Sequence, residues 1–346
     1  MAIKEAISAI VDGASLSEDG AAAAMVEIVE GQATAGQIGA FATALRMKGE
    51  TVEEITGLAR VMRDYATRVT IDGDVVDLVG TGGDASQTFN ISTISAMVVA
   101  AAGGRVAKHG NVGITSSCGS ADILKALGIA TDLNAAGVAS CVQQAGFGFM
   151  FAPAFHPSLK HAAGTRREIG IRTVFNILGP LTNPAWANHL LIGAAIGPLA
   201  PKLAMVLSRL GAERALVVHG AGGLDELSIS GPSMIYEVVD GELSDYEVEP
   251  AKFGLASSEL AGIRGGNVEA NLALAEVALS GKAGAPRDVV LLNAGAGLYA
   301  SALTDTISEG IELARETIGS GLARRKVEEV REVSQQISRR QAEATA

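Results

Sequence analysis

One stretch constrains the fold of this chain more than any other. An apolar, β-branched run at residues 75–79 breaks into Gly80-Thr81-Gly82-Gly83-Asp84, and an apolar run at 94–102 follows Ser92 and Thr93. This order predicts a strand, a glycine turn and a helix. Glycine lets backbone N–H groups close on a ligand, and a helix N-terminus adds unpaired donors. An anion is therefore the expected ligand.

The glycine turn does not identify its ligand by itself. It has neither the GxGxxG pattern of dinucleotide sites nor the GK[ST] ending of nucleoside triphosphate sites. A tight strand-to-helix turn that binds nothing is the alternative interpretation. The remaining motifs must decide between an anion site and a turn that binds nothing.

Charge and cysteine content narrow the class of protein. The formal net charge of -11 gives no overall attraction to nucleic acid or acidic membranes, so neither is an expected partner. The first residues carry charges where a signal peptide is apolar, and no apolar run approaches the about 20 residues that span a bilayer. Cys118 and Cys141 make no disulfide framework, so a cytoplasmic location is expected.

Hydrophobic periodicity divides the chain into a helical part and an α/β part. Residues 1–71 carry helix signals only, including caps at Ser17 and Thr34 and a capping box from Thr51 to Glu54. From residue 72 onward, short β-branched runs alternate with helices, which is typical of a parallel sheet. The predicted fold class is α/β, with a small N-terminal all-helical domain hinged to a larger α/β domain that has a mostly parallel sheet. The helical domain comprises 1–71, with 157–184 returning to it, and the α/β domain comprises 72–156 and 185–346.

The individual elements of the α/β part follow from the same patterns. Strands are predicted at 75–79, 105–107, 149–152, 189–194 and 215–219. Residues 233–248 alternate and contain Asp240-Gly241, which predicts an antiparallel hairpin. Helices are predicted at 134–145, 157–170, 173–178, 198–210, 267–280 and 307–338.

A second anion candidate begins at Lys108, directly after the predicted strand 105–107. Its ammonium can reach a phosphate, and the hydroxyls of Thr115, Ser116 and Ser117 add neutral donors. Taken alone, Lys108 fits an ordinary surface lysine. Its place at a strand end, beside a second glycine-rich loop, favours anion binding.

Two further motifs supply a cation and a pair of acids. Arg166 can form a bidentate pair with a substrate carboxylate, although adjacent arginines also fit a solvated helix face. Asp225 and Glu226 follow a predicted strand on a glycine-rich loop and can each give an oxygen to Mg²⁺, although neighbouring acids are common without a metal. Cys118 is a weak nucleophile candidate, because no base is fixed beside it.

All these loops leave the carboxyl ends of predicted parallel strands. That edge is where open α/β sheets bind ligands, so the glycine turn, the lysine and the acids are predicted to share one cleft. Together they predict a Mg²⁺-dependent enzyme that acts on a polyphosphate.

Six motifs in this order resemble the anthranilate phosphoribosyltransferase family of tryptophan biosynthesis, over about residues 3–335. The motifs are 80–84, 90–93, 108–111, 119–122, 166–184 and 219–228. The resemblance implies a pentosyltransferase that is homodimeric through its helical part. It also implies transfer of phosphoribose from 5-phosphoribosyl-1-pyrophosphate (PRPP) to the amine of anthranilate, with release of pyrophosphate and with two Mg²⁺ per active site.

The resemblance further implies a role for each motif residue. The positions for PRPP are Gly80, Gly82, Gly83, Asp84, Thr88, Asn90, Ser92, Thr93, Lys108 and Ser120. The positions for anthranilate are Gly80, His109, Asn111, His156, Arg166 and Gly179. The Mg²⁺ ligands are Ser92, Asp225 and Glu226. No residue serves as a dedicated general base, and Arg166, Asn111 and Lys108 position the reactants.

Two positions depart from the family pattern. Val112 stands where the family normally has arginine, and Ser117 stands where lysine is common, so this loop carries two fewer positive charges. A different aromatic acceptor therefore remains an alternative. A nucleoside phosphorylase of the same general fold is a second one. The pair Asp225-Glu226 argues against phosphorolysis, which has no pyrophosphate to hold through Mg²⁺. The net charge argues against a nucleic-acid-binding relative.

Overall fold

The computed structural model describes residues 2–84, 86–113, 117–255 and 258–345. Thr115 and Ser116, which the sequence predicts as hydroxyl donors, lie outside the described residues. Within these ranges the chain forms an N-terminal helical domain and a larger α/β domain with a mostly parallel sheet, so the predicted fold class is confirmed. None of the described helices is long and apolar enough to cross a membrane.

Four helices form the N-terminal bundle. They are α1 (Ala2–Val11), α2 (Glu18–Val29), α3 (Ala35–Lys48) and α4 (Val52–Asp64). Side chains cap the last three: Ser17, Thr34 and Thr51 each accept a hydrogen bond from the backbone N–H three residues later. Glu54 also accepts from the Thr51 N–H at 2.9 Å, which completes the predicted capping box. Each cap contributes about 1 kcal/mol to helix stability, which explains why these starts are readable from the sequence.

The rest of the chain alternates strands and helices. The strands are β1 (Val76–Gly80), β2 (Val106–Gly110), β3 (Phe147–Phe151), β4 (His189–Gly193), β5 (Arg214–His219), β6 (Ser233–Val239) and β7 (Glu242–Val248). The helices are α5 (Ile91–Ala101), α6 (Ser120–Ala126), α7 (Ala135–Ala145), α8 (Ala152–Phe155), α9 (Lys160–Ile169), α10 (Val174–Leu178), α11 (Ala200–Arg209), α12 (Val268–Leu279), α13 (Ala285–Ala300), α14 (Ile307–Gly319) and α15 (Leu322–Thr345).

The strands form one sheet in the order β3-β2-β1-β4-β5-β6-β7. The first five are parallel, and β6 and β7 form the predicted antiparallel hairpin, with positive φ angles at Asp240 and Gly241. The chain runs outward from β1 to β3 and then returns to the other side of β1 at β4. Ligands of open α/β sheets bind at such a switch point, outside the carboxyl ends of the strands.

Helices cover both faces of the sheet. On one face α5 and α13 pack against β1, and on the other α11 packs against β5 and also contacts α4 of the bundle. Helix α13, which is buried almost throughout, is missing from the sequence prediction. A helix that is apolar all round has no polar face, so the periodicity that reveals an amphipathic helix is absent.

The segment before β4 contacts the bundle. Helix α9 packs on α2 and α3, and α10 packs on α3 and α4. Buried side chains of this segment, including Ala162 and Val174, join the same apolar cluster as the bundle residues Phe41 and Leu58. The helices of the segment therefore lie between the bundle and the sheet edge that carries the switch point.

Several predicted boundaries are wrong; strand β3, for example, begins at Phe147 instead of residue 149. Strand β2 continues through Lys108 to Gly110, because these residues pair with Phe149 to Phe151 of β3. Helix α5 begins at Ile91 instead of residue 94. Residues 307–338 form two helices, because Gly321 takes a φ of 74° between α14 and α15, a conformation that interrupts a helix.

Candidate functional site

The glycine turn after β1 is held from both sides. The Gly82 N–H donates to Oδ2 of Asp225 at 2.6 Å. From the other side, Arg172 donates to the carbonyl oxygen of Gly82 and, at 3.4 Å, to that of Thr81. Gly83 has a φ of 71°, and the Arg172 guanidinium occupies the place where a Cβ would lie. The turn therefore requires glycine and has a fixed peptide orientation.

The acids Asp84, Asp225 and Glu226 gather beside the turn. The loop after β5 closes so tightly on β4 that a Cβ on Gly193 would lie 1.6 Å from the Asp225 carbonyl oxygen. Oε1 of Glu226 accepts from the Ser92 N–H at 3.1 Å, at the start of α5. The structure thus brings the three predicted metal ligands, Ser92 among them, to one place.

Burial and mutual repulsion raise the pKa values of these acids. For Asp225, burial followed by the charge of Asp84 raises the pKa to about 7. For Glu226, burial and then the charge of Asp225 raise the pKa well above its ordinary value. A cation relieves such repulsion, and a donor set of carboxylate and hydroxyl oxygens fits the preference of Mg²⁺.

Lys108 lies inside the molecule, not on the loop surface, and is only 1% exposed. Its Nζ donates to the Leu78 carbonyl oxygen and lies 3.4 Å from Oγ of Ser92. Burial lowers the pKa of Lys108, whereas the charges of Asp77 and Glu226 raise it. The ammonium thus stands behind the N-terminus of α5, between two carboxyl groups.

Asp77, in the middle of β1, is a site candidate that the sequence analysis missed. Its Oδ1 accepts from the His109 N–H at 3.3 Å, and its Oδ2 accepts from Nδ2 of Asn183 at 2.7 Å. Burial raises the pKa of Asp77 to about 6, against the lowering effect of Lys108. The sequence feature that could have indicated Asp77 is a single acid within the apolar run at 75–79. Asp77 connects β1, β2 and the segment before β4.

His109 and His156 form a ring pair with centroids 5.0 Å apart. Burial lowers their pKa values to about 3 and about 4, so both rings are neutral at pH 7. Nδ1 of His109 lies 3.2 Å from the Gly179 carbonyl oxygen, which can only accept, so the ring proton is on Nδ1. Nε2 of each ring is buried without a hydrogen-bond partner in the described part of the chain. Nε2 of His109 therefore offers a lone pair to a ligand.

Arg166 and Asn111 are the other predicted acceptor residues. Arg166 is partly buried, with its guanidinium carbon 5.6 Å from the Phe175 ring centroid, and burial lowers its pKa. Oδ1 of Asn111 accepts from the Val112 N–H at 2.8 Å, and the Asn111 carbonyl oxygen accepts from Oγ of Ser120 at 3.2 Å. Ser120 thus supports the loop that carries Asn111.

The remaining predicted PRPP residues lie between the glycine turn and α5. Thr88 forms an isolated β-bridge, and Thr93 is buried in the first turn of α5. Nδ2 of Asn90 donates to the Cys118 carbonyl oxygen at 3.0 Å, and its Oδ1 accepts from Asn271 at 2.9 Å. Burial raises the pKa of the Cys118 thiol, which disfavours a nucleophilic role.

Comparison with known families defines the class. Residues 4–66 match the helical bundle domain of the glycosyl transferase family, and residues 72–324 match the a/b domain of the same family. A helical bundle joined to an α/β domain, with an anion turn and an acid cluster at the switch point of the sheet, is thus a glycosyl transferase architecture.

Individual relatives narrow this class to one family. The chain is 53% identical over 338 residues to the anthranilate phosphoribosyltransferase of Dehalococcoides mccartyi, covering 97% of this chain and 99% of that protein. It is 52% identical over 336 residues to that of Chloroflexus aurantiacus, covering 96% and 99%. The chain belongs to the anthranilate phosphoribosyltransferase family.

Solved structures agree with this assignment. The crystal structure of anthranilate phosphoribosyltransferase from Thermus thermophilus has a TM-score of 0.90 and 40% identity, covering 95% of this chain and 99% of that one. The enzyme from Saccharomyces cerevisiae in complex with PRPP and Mg has a TM-score of 0.87 and 28% identity, covering 96% and 98%.

Proposed function

We propose that the chain transfers phosphoribose from PRPP to the amine of anthranilate, giving N-(5-phosphoribosyl)anthranilate and pyrophosphate. One observation carries the proposal: the glycine turn, the acids Asp225 and Glu226 and the ammonium of Lys108 meet at the switch point between β1 and β4. Anion donors beside cation-binding acids suit a pyrophosphate held through Mg²⁺. Membership of the family supports the choice of substrates.

The residues that bind PRPP act by stabilising the transition state electrostatically. Breaking the bond between ribose C1 and pyrophosphate develops negative charge on the leaving group. The glycine turn and the N-terminus of α5 would face this charge, although the N–H groups of Gly82 and Ser92 donate to Asp225 and Glu226, and Lys108 stands behind Ser92. Ser92, Asp225 and Glu226 would hold Mg²⁺, which would supply charge neutralisation and orientation. Two ions per site match the three acids that face the turn, Asp84 being the third.

The acceptor side positions a neutral amine and needs no general base. The amine of anthranilate is uncharged at pH 7, and its lone pair can attack C1 once it is held in line. Nε2 of His109 is free to accept one amine N–H, whereas the neutral histidine pair brings no charge for the anthranilate carboxylate. Arg166 supplies the positive charge for this carboxylate in a bidentate pair. Asn111 and Gly179 are further contacts.

The two halves of the site belong to different parts of the chain. The PRPP residues follow strands of the sheet, whereas Arg166 and Gly179 lie on the segment 157–184 that packs on the bundle. We infer that 1–71 with 157–184 form one domain and that 72–156 with 185–346 form the other. Closure between them would exclude water, which otherwise captures the electrophilic ribose.

We also propose a homodimer through the helical bundle, in the cytoplasm. Val11 on α1 is 70% exposed and Met47 on α3 is 83% exposed, the highest values among the exposed large apolar side chains that the structure describes, and α1 packs on α3. The low cysteine content and the biosynthetic family support the location.

The decisive experiment incubates the protein with Mg²⁺, PRPP and anthranilate and follows the loss of anthranilate fluorescence. Absence of turnover at high substrate concentrations would overturn the proposal. Parallel assays with other aromatic amines and with a nucleoside plus inorganic phosphate test the two alternatives. The exposed Val112, in place of the family's arginine, is the reason to include the other amines.

Two variants separate the roles of the two substrates. Arg166→Ala should raise the KM for anthranilate by about 10-fold or more, the value of a lost charge-assisted pair, and leave the KM for PRPP nearly unchanged. Asp225→Asn should instead change the Mg²⁺ dependence. Arg167→Ala is the matched control, because that neighbouring arginine is exposed. Equal effects of Arg166→Ala on both substrates would contradict its assignment.

A further inference from the structure

A second cluster of possible metal ligands lies at the amino edge of the sheet, opposite the site described above. Asp74 precedes β1, His189 begins β4 and Glu213 precedes β5, and these three strands are neighbours. One imidazole nitrogen of His189 and one carboxylate oxygen from each acid all lie within 4.8 Å of one another. Neither the sequence motifs nor the proposed reaction gives these residues a role.

Strand register and one asparagine bring the cluster together. His189 pairs with Val76 on one side and with Arg214 on the other, so both acids extend just beyond the paired strands. Nδ2 of Asn188 donates to Oδ1 of Asp74 at 2.7 Å, and the Asn188 carbonyl oxygen accepts from the Glu213 N–H at 3.0 Å. The residue next to His189 thus holds both acidic segments in place.

His189 has an unfilled bonding requirement. Its side chain is only 5% exposed, and its Nδ1 is buried without a hydrogen-bond partner among the residues that the structure describes. A buried polar atom in this state is unfavourable, because no bond replaces the one it makes to water in the unfolded chain. The acids beside the ring are acceptors when ionised and cannot donate to an imidazole lone pair. A metal ion can bond to the ring and to both carboxylates together.

We propose that Asp74, His189 and Glu213 bind a divalent cation of the zinc class. One nitrogen and two carboxylate oxygens suit Zn²⁺ or Co²⁺, whereas Mg²⁺ prefers oxygen alone. Bonds of about 2.0–2.2 Å in a tetrahedron require ligand atoms about 3.4 Å apart. The cluster must therefore contract slightly, and both acids are exposed at the surface. Water completes the coordination.

The surroundings of the cluster are compatible with a cation. Asp74 and His189 line a cleft of about 290 Å³ that also contains Arg105. The Arg105 guanidinium donates to the Asp72 carbonyl oxygen, and that of Arg214 stacks on Tyr299. Each arginine thus has its own partner, and the two acids supply the negative charge for the ion.

The bound ion would be structural. The ion would tie the start of β1, where the chain enters the sheet from the helical part, to β4 and β5. Because this edge lies at the end of the strands away from the glycine turn, the ion should raise stability and leave kcat unchanged.

The test compares full-length variants after removal of metal with a chelator. Asp225→Asn/Glu226→Gln removes the acids of the first site and should still bind one Zn²⁺ per chain by calorimetry. It should also show the visible absorption of bound Co²⁺. Adding Asp74→Asn/Glu213→Gln to that background should weaken the binding at least about 10-fold and abolish the rise in Tm caused by Zn²⁺. The same pair in the otherwise unchanged chain should leave kcat in Mg²⁺ unchanged. Asp72→Asn/Glu242→Gln, which alters two exposed acids outside the cluster, is the matched control.

Two results would overturn the proposal. One is unchanged Zn²⁺ affinity when Asp74→Asn/Glu213→Gln is added to Asp225→Asn/Glu226→Gln, and the other is no binding by Asp225→Asn/Glu226→Gln itself. His189→Gln should behave like the acid variants. If that buried substitution prevents folding, the variants of the exposed acids still decide the question.

Discussion

At the scale of single residues, the acids of the site oppose folding when no cation is present. The folded-state pKa of Asp225 is raised from 3.8 to about 7. A folded acid with a raised pKa binds more protons than the unfolded chain between these values, so stability falls as pH rises through that window and levels off above it. Mg²⁺ should reverse this loss.

The pH dependence gives a direct prediction for Asp225→Asn. Without Mg²⁺ at pH 8, the variant should be more stable than the wild type by up to about 4 kcal/mol, and the difference should vanish near pH 4. Urea unfolding with and without Mg²⁺ measures it, with Glu242→Gln as the exposed control. A variant less stable than the wild type at pH 8 would show that Asp225 is not destabilising.

Arg172 is the second residue with a measurable role, because it orients the glycine turn through two carbonyl oxygens. Arg172→Ala should raise the KM for PRPP by about 10-fold, since the turn loses two hydrogen bonds, and should change the KM for anthranilate by less. Arg172→Lys should restore little of the affinity for PRPP, because lysine lacks the planar guanidinium that donates to both carbonyl oxygens. Arg167→Ala serves again as control. A larger effect on the anthranilate KM would assign Arg172 to the acceptor side.

At the scale of elements, local features could be predicted and distant ones could not. The caps at Ser17, Thr34 and Thr51 depend on residues three positions apart, and the order of strand, glycine turn and helix is contiguous. The hydrogen bond from Arg172 to the Gly82 carbonyl oxygen joins residues 90 positions apart. The burial of Lys108 depends on carboxyl groups from two other segments. Sequence patterns therefore identify the loops of the site but not the contacts that fix them.

The close contact between β4 and the loop after β5 is one such unpredicted feature. Gly193→Ala would place a Cβ 1.6 Å from the Asp225 carbonyl oxygen. The loop must shift, so we expect a loss of about 1–3 kcal/mol of stability and most of the activity. Gly164→Ala, in α9 with no atom within 4 Å of its Cβ position, should instead stabilise the protein by up to about 1 kcal/mol. Thermal unfolding and kcat together check both variants, and an unchanged Gly193→Ala would refute the contact.

At the scale of the whole molecule, polar contacts join the bundle to the α/β part. Arg63 of α4 donates to the carbonyl oxygens of Leu181 and Leu210, and Lys202 of α11 donates to that of Glu50. These bonds hold the bundle close to the segment that carries Arg166. The bundle therefore supports the acceptor side of the site. The proposed dimer would place its interface on the same bundle.

The interface can be tested without disturbing the site. Val11→Asp/Met47→Asp should convert the proposed dimer to a monomer in sedimentation velocity, because both residues are exposed in the single chain and a charge buried at the interface would be strongly unfavourable. Each proposed site is built from residues of one chain, so kcat per chain should stay within about two-fold of the wild type, although Tm should fall. Leu243→Asp, at an exposed apolar position on the edge strand β7, is the matched control and should remain dimeric. A dimer that survives the double substitution would place the interface elsewhere on the chain.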